Sequence, residues 1–220
     1  MMITIDGPAG SGKSTVAREL AKALGIAYMD TGATYRAVTL LALRGGVDME
    51  DAEALARLAA AARIELRPGP DGTKTFLDGL DVTREIRSEE VSDNSHYVAR
   101  CGRVRQVLVE LQRQIGAALG DFVAEGRDQG SVVFPEAEVK FYLDASPEVR
   151  ARRRCDEMLA AGGQTDYRRV LKAILVRDGR DRNRDVAPLV KPPGAIEIDT
   201  SDLSIAQVTQ ELLRHVKGRR

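Results

Sequence analysis

The sequence predicts an α/β fold: a parallel sheet flanked by helices, with a small antiparallel insert. Three observations carry this. An apolar stretch, Met2-Ile3-Thr4-Ile5-Asp6, runs through a glycine-rich turn into residues 16–24, whose apolar side chains recur at helical spacing. Strand-type and helix-type segments then alternate, which specifies a parallel sheet covered on both faces. Residues 64–84 differ in texture, with short β-type runs around Pro68-Gly69-Pro70-Asp71-Gly72, and read as an antiparallel insert.

The elements follow in order. Residues 26–29 form a second strand, with Asp30 and Thr31 as caps for a helix over 33–44 that Gly45-Gly46 ends. An alanine-rich helix covers 51–63. After the insert come helices over 88–96 and 103–119, then a strand over 121–125 that stops at Gly126-Arg127-Asp128. Another strand, 139–143, leads to a helix started by Ser146 or Pro147 and broken by Gly162-Gly163. A helix over 166–184, a strand over 195–198 and a helix over 204–217 complete the chain. No internal repeat or low-complexity linker interrupts it, so all 220 residues are expected to form one domain.

Composition narrows the function. Basic and acidic residues balance at 33 each, without the excess expected of a nucleic-acid binder. No apolar run approaches the ~20 residues needed to span a membrane, and no signal peptide is apparent, so a cytoplasmic protein with no membrane partner is expected. Cys101 and Cys155 lack metal-site spacing and read as ordinary thiols. Arginine outnumbers lysine 26 to 7. Codon bias explains much of that, but a guanidinium grips phosphate bidentately where an ammonium does not.

The turn after the first strand, Gly7-Pro8-Ala9-Gly10-Ser11-Gly12-Lys13-Ser14, fits G-x-x-x-x-G-K-[ST], the phosphate-binding P-loop. Its glycines let backbone N–H groups curl around phosphate oxygens at a helix N-terminus. Lys13 reaches the β/γ-phosphates, the Ser14 hydroxyl is the expected Mg²⁺ ligand, and Thr15 completes the triphosphate site. The fold is therefore expected to be of the P-loop NTPase type.

Other cations cluster downstream. Asp30-Thr31-Gly32-Ala33-Thr34-Tyr35-Arg36 and Gly126-Arg127-Asp128 follow strands, where an open sheet carries its ligand crevice. Arg150, Arg152, Arg153 and Arg154 crowd one turn of helix, which costs stability unless an anion offsets the repulsion. Arg177, Asp181 and Arg184 fall at i, i+4 and i+7, one helix face. Two arginines flanking a carboxylate suit a phosphate and sugar hydroxyls.

These residues, with Arg103-Val104-Arg105, Val132-Val133-Phe134-Pro135, Leu143-Asp144-Ala145-Ser146 and Val186-Ala187-Pro188-Leu189, make the chain similar to the bacterial cytidylate kinases, P-loop nucleoside monophosphate kinases. The blocks span residues 3–189. The resemblance implies phosphoryl transfer from Mg-ATP to CMP or dCMP by a protein expected to be monomeric. It implies that Arg36, Arg127, Arg177 and Arg184 hold the acceptor phosphate, Arg105 and Asp128 read the cytosine edge, and Asp181 contacts the sugar. Lys13, Arg127, Arg177, Arg184 and Arg153 become the catalytic cations, residues 64–84 the monophosphate-region insert, and 150–166 the lid. Thr31 stands where the family usually has Ser. His96 stands where relatives often carry a base-contacting Ser, and Gln129-Gly130-Ser131 replaces an apolar residue followed by Gly-Thr. Kinases of other small acceptors and a nucleotide switch are the alternatives. The several acceptor-side arginines favour an anionic acceptor, and no Asn-Lys-x-Asp guanine motif occurs.

Overall fold

A computed structural model describes residues 1–69 and 72–218. Pro70 and Asp71, at the tip of the predicted insert, lie outside the described residues. Five parallel strands form the central sheet: β1 (Met2–Asp6), β2 (Ala27–Asp30), β6 (Phe122–Glu125), β7 (Val139–Asp144) and β8 (Ile196–Asp199), in the order β2-β6-β1-β7-β8. Ile5 pairs with Glu125 on one side and with Phe141 on the other, so β1 is central. Among the described residues no helix is long and apolar enough to cross a membrane.

Alternation along the strands sorts the core onto two faces. Tyr28, Val123, Ile3, Ile5, Phe141 and Leu143 pack under α1 (Lys13–Leu24) and α8 (Ile205–Lys217). Met29, Phe122 and Ala124 face α2 (Gly32–Arg44), α3 (Ala52–Ala61), α4 (Glu89–Arg100) and α5 (Gly102–Leu119). The second sheet, β3 (Ile64–Gly69), β4 (Gly72–Leu77) and β5 (Leu80–Asp81), is antiparallel as expected. Ile64, Leu66 and Leu77 join the α2 core, and the Thr73 hydroxyl donates to the Tyr28 carbonyl at 2.6 Å, which ties the insert to β2.

Several boundaries move for local reasons. The predicted break after His96 does not occur: α4 continues to Arg100 because Val98 is fully buried, and only Cys101 separates it from α5. Thr31 is the N-cap residue of α2 but its side chain does not cap it; the Asp30 Oδ1 accepts from the Ala33 N–H at 3.1 Å instead. After α6 (Pro147–Ala160), α7 (Tyr167–Arg182) stops short of the predicted end. Asn183 caps it and the chain turns back, the Leu189 N–H donating to the Asp181 carbonyl at 2.8 Å. Arg184 therefore leaves the helix, correcting its assignment to the face of Arg177 and Asp181. The sequence reading also missed a π-helical turn at Gln129–Val133.

Gly116 sets how closely α5 approaches the sheet. A Cβ there meets Phe122 at 2.9 Å and Phe134 at 3.0 Å, two rings already packed edge to face. Gly116→Ala gains ~1 kcal/mol of helix propensity but overpacks this contact at a cost of about 1–3 kcal/mol. A lower urea midpoint with an unchanged m-value is expected; an unchanged or higher midpoint would show that the rings have slack.

Candidate active site

Every strand of the parallel sheet ends on a carboxylate: Asp6, Asp30, Glu125, Asp144 and Asp199. Each fastens a neighbouring loop or side chain. Asp6 accepts the Gln129 and Gly130 N–H groups at 2.7 Å each. Asp30 receives Arg36 at 2.7 Å and Arg87 at 3.0 Å. Glu125 accepts the Ser14 hydroxyl at 2.6 Å and the Tyr28 hydroxyl at 3.1 Å. Asp144 and Asp199 accept backbone N–H groups of Ala145 and Ser201. The crevice at the carboxyl edge, where an open α/β sheet binds ligands, is built on this row.

The P-loop joins β1 to α1. Gly7 has φ +146°, and a Cβ there lies 2.0 Å from the Leu143 carbonyl oxygen, so β7 excludes any side chain. Gly12, at φ 87°, opens α1 with no side-chain cap, which leaves the first helical N–H groups facing the loop. Lys13 lies across the loop, donating to the Pro8 carbonyl at 2.6 Å, where Ser11 also donates. Burial, and then the charge of Arg127, lower the Lys13 amine to about 7, against the pull of Glu125 and Asp6. Burial pushes Asp6 up to about 7, only partly countered by its two N–H donors.

Across the crevice the predicted cations converge. Arg127 Nε donates to Asp181 Oδ2 at 3.0 Å, which brings the strand-end arginine to α7. Burial alone would raise the Asp181 carboxyl, but Arg127 and Arg177 hold it below its ordinary value. Arg177 stays open to solvent within the crevice; the surrounding protein, and then Arg127, lower it to about 10. Although Arg184 has left the helix, the fold returns it to the site, where burial and then Arg105 lower its pKa. Its Nη2 and Arg36 Nε are buried with no hydrogen-bond partner. Unpaired guanidinium N–H groups inside a ring of mutually repelling cations are what an anion site requires.

Arg105 and Asp128 form an ion pair in which both residues are 3% exposed. The Arg105 guanidinium lies 5.5 Å from the Tyr35 ring centre, and the Tyr35 hydroxyl is itself buried and unpartnered. Thr31 does structural work: its hydroxyl donates to the Glu125 carbonyl at 2.7 Å and packs against Gly126. His96 is bound locally. Its Nδ1 contacts the Asp93 carbonyl at 2.7 Å, its ring lies tilted against that of Tyr97 with centres 4.0 Å apart, and burial, then Arg180 and Arg100, lower its pKa. None of these contacts joins it to Arg105 or Asp128.

The four arginines of α6 separate. Arg150, read with the lid, is 1% exposed and belongs to the core. It donates to Asp178 at 3.0 and 2.5 Å, to the Ala145 carbonyl at 2.9 Å and to the P-loop carbonyl of Ala9 at 3.1 Å. Its charge is thus offset by Asp178 rather than by a bound anion. Arg153 donates to Thr200 Oγ1 at 3.1 Å, and Thr200 in turn donates to the Ser11 carbonyl. Arg154 pairs with Glu157 on the surface, and Arg152 is exposed.

The sequence matches the family described as cytidylate kinase over residues 3–218. The chain belongs to the cytidylate kinase family. It is 48% identical to the cytidylate kinase of Mycolicibacterium paratuberculosis over 219 residues, 100% of this chain and 96% of that one. It is 50% identical to that of Pelotomaculum thermopropionicum over 220 residues, 99% and 97% of the two chains. Among solved structures, shikimate kinase from Bacteroides thetaiotaomicron superposes with a TM-score of 0.50 at 12% identity over 99% and 98% of the chains, a likeness of fold. Within this family frame Glu125 and Asp6 are the crevice residues that sequence reasoning passed over. Both carry the same signal, a carboxylate closing an apolar strand beside the P-loop.

The Arg150–Asp178 pair separates structure from charge. Arg150→Met leaves Asp178 buried and unpaired, so a loss of about 3–5 kcal/mol in chemical denaturation is expected. Arg150→Met combined with Asp178→Leu should recover most of it. A double variant no more stable than the single would mean that the Ala9 and Ala145 contacts, not the ion pair, carry the effect.

Proposed function

We propose that the protein transfers the γ-phosphoryl group of ATP to CMP or dCMP, giving ADP and CDP or dCDP, by direct in-line displacement. The observation that carries this reading is the cation ring of Lys13, Arg36, Arg127, Arg177 and Arg184 facing a P-loop in a chain of this family. The acceptor is a phosphate oxygen, largely ionised near neutral pH because its second pKa is about 6, so no general base is needed. Two anions must be brought together, and positioning plus charge stabilisation does the work. Lys13 and the P-loop amides hold the β/γ-phosphates. Arg36, Arg127, Arg177 and Arg184 hold the acceptor phosphate, Asp181 orients Arg127 and faces the sugar, and Arg105 with Asp128 reads the base edge. Arg153 and the α6–α7 hairpin beyond it cover the donor and exclude water.

Ser14 Oγ and Glu125 Oε1, 2.6 Å apart beside the loop, are hard oxygen donors suited to Mg²⁺. Among the described residues no cluster of three or more His, Cys, Asp or Glu is placed to hold a metal. With ATP bound, the Ser14 and Glu125 oxygens would hold Mg²⁺, which would supply positive charge against the phosphates during transfer.

A panel of monophosphates with Mg-ATP should rank CMP and dCMP well above AMP and GMP; preference for AMP would overturn the assignment. Lys13→Ala should lower kcat by about 10²-fold or more in a folded enzyme, because its charge acts on the transferring group. Arg177→Ala should raise KM for CMP with little change for ATP, and the reverse would move that residue to the donor side.

Lys13 also makes donor binding pH-dependent. Its amine sits near 7 in the free protein, and triphosphate charge raises that value, so binding takes up a proton. Through Lys13, affinity for ATP should be greatest below pH 7 and weaken above it, by up to about tenfold per pH unit until the bound-state pKa is reached. Calorimetry at pH 7.5 in two buffers of different ionisation enthalpy should record proton uptake that Lys13→Met abolishes. Equal enthalpies in both buffers would remove Lys13 as the linked group.

A further inference from the structure

The turn that carries Arg127 and Asp128 is irregular, and irregular backbone needs its polar groups satisfied from outside. Two side chains meet that need, one at each end. Asp6, the last residue of β1, accepts the N–H groups of Gln129 and Gly130, one on each carboxylate oxygen, at 2.7 Å. Arg113, midway along α5, donates from Nε to the Val133 carbonyl at 3.0 Å and from Nη2 to the Val132 carbonyl at 2.9 Å. Within the turn, the Val132 and Val133 N–H groups both close on the Asp128 carbonyl, so movement at either end is passed to Asp128. Only glycine fits at 130, where a Cβ would lie 2.7 Å from Thr4 Oγ1; the turn is seated directly on β1.

We propose that Asp6 and Arg113 are positioning residues for the acceptor nucleotide: they grip the Gln129–Val133 turn from its two ends and so fix where Arg127 and Asp128 point. This rests on the reading of Arg127 as a phosphate ligand and Asp128 as a base reader. Asp6 launches the P-loop as well, so one carboxylate ties the donor loop to the acceptor loop. Arg113 acts from outside the crevice; its side chain is exposed and contacts neither the P-loop nor the cation ring.

The test uses the full-length protein with Arg113→Met and Asp6→Asn. Asparagine keeps the shape of Asp6 but presents an NH₂ to one of two N–H groups, so one contact becomes donor against donor. Arg113→Met, at an exposed site, keeps the aliphatic stem and the fold. Arg113→Met should raise KM for CMP about tenfold and narrow the CMP-to-UMP preference, while KM for ATP stays within about twofold. Asp6→Asn should act in the same direction and also lower kcat. Each effect should shrink when Arg127 is already Ala, because the variants then act on a side chain that is gone. Normal kinetics in Arg113→Met, or effects that multiply fully with Arg127→Ala, would overturn the proposal. A drop in melting temperature alone would do the same. If Arg127→Ala and Asp128→Asn themselves leave CMP kinetics unchanged, it is the assignment of those two residues that fails.

Discussion

The constraint on which this structure turns is a row of carboxylates along one edge of a parallel sheet. Five apolar strands each end on an acid, and those acids hold the surrounding loops. Strand ends supply a rigid base, and loops attached to it inherit that rigidity. Asp30 gathers two arginines, Asp6 seats the turn bearing Arg127 and Asp128, and Glu125 binds the P-loop serine. Without this edge the crevice cations would have neither fixed directions nor enough opposing charge to coexist.

The balance of charge at the edge is uneven by design of the sequence, and the unevenness marks the site. Where a cation meets its own carboxylate in full, as Arg150 meets Asp178, it becomes part of the core and serves as a fastening. Where cations outnumber carboxylates, as around Asp181, the pKa values of Arg177 and Arg184 fall and guanidinium N–H groups of Arg36 and Arg184 stay unpaired. Arg177 and Asp178 are neighbours in sequence yet have opposite duties. A helix turns its successive residues by about 100°, so one faces the crevice while the next faces α6.

The fold was legible because it is written in local signals. The strand–glycine loop–helix start, the double glycines at 45–46 and 162–163, and Ser146-Pro147 fix element borders through φ preference and capping, which need no distant partner. The antiparallel insert was legible from its turn residues. The continuation of α4 through Tyr97-Val98-Ala99-Arg100 was not, because burial of Val98 against distant elements decides it. The π-helical turn was hidden for a like reason: its backbone is satisfied by Asp6 and Arg113, 123 and 20 residues away at the bonds they make.

The sequence by itself determined the phosphate-binding loop, the alternating α/β order, the family and the set of arginines available for anions, since residue type and spacing carry each of these. Tertiary structure alone decided which arginines remain free. Arg150 and Arg153 share one turn of helix with Arg152 and Arg154, yet only folding places Asp178 against the first and Thr200 against the second. It also decided that Arg184, off the helical face its spacing suggested, still reaches the crevice, and that Glu125 and Asp6 are more than strand ends. Charge pairing depends on distances between segments far apart in the chain, and those distances exist only once the sheet has formed.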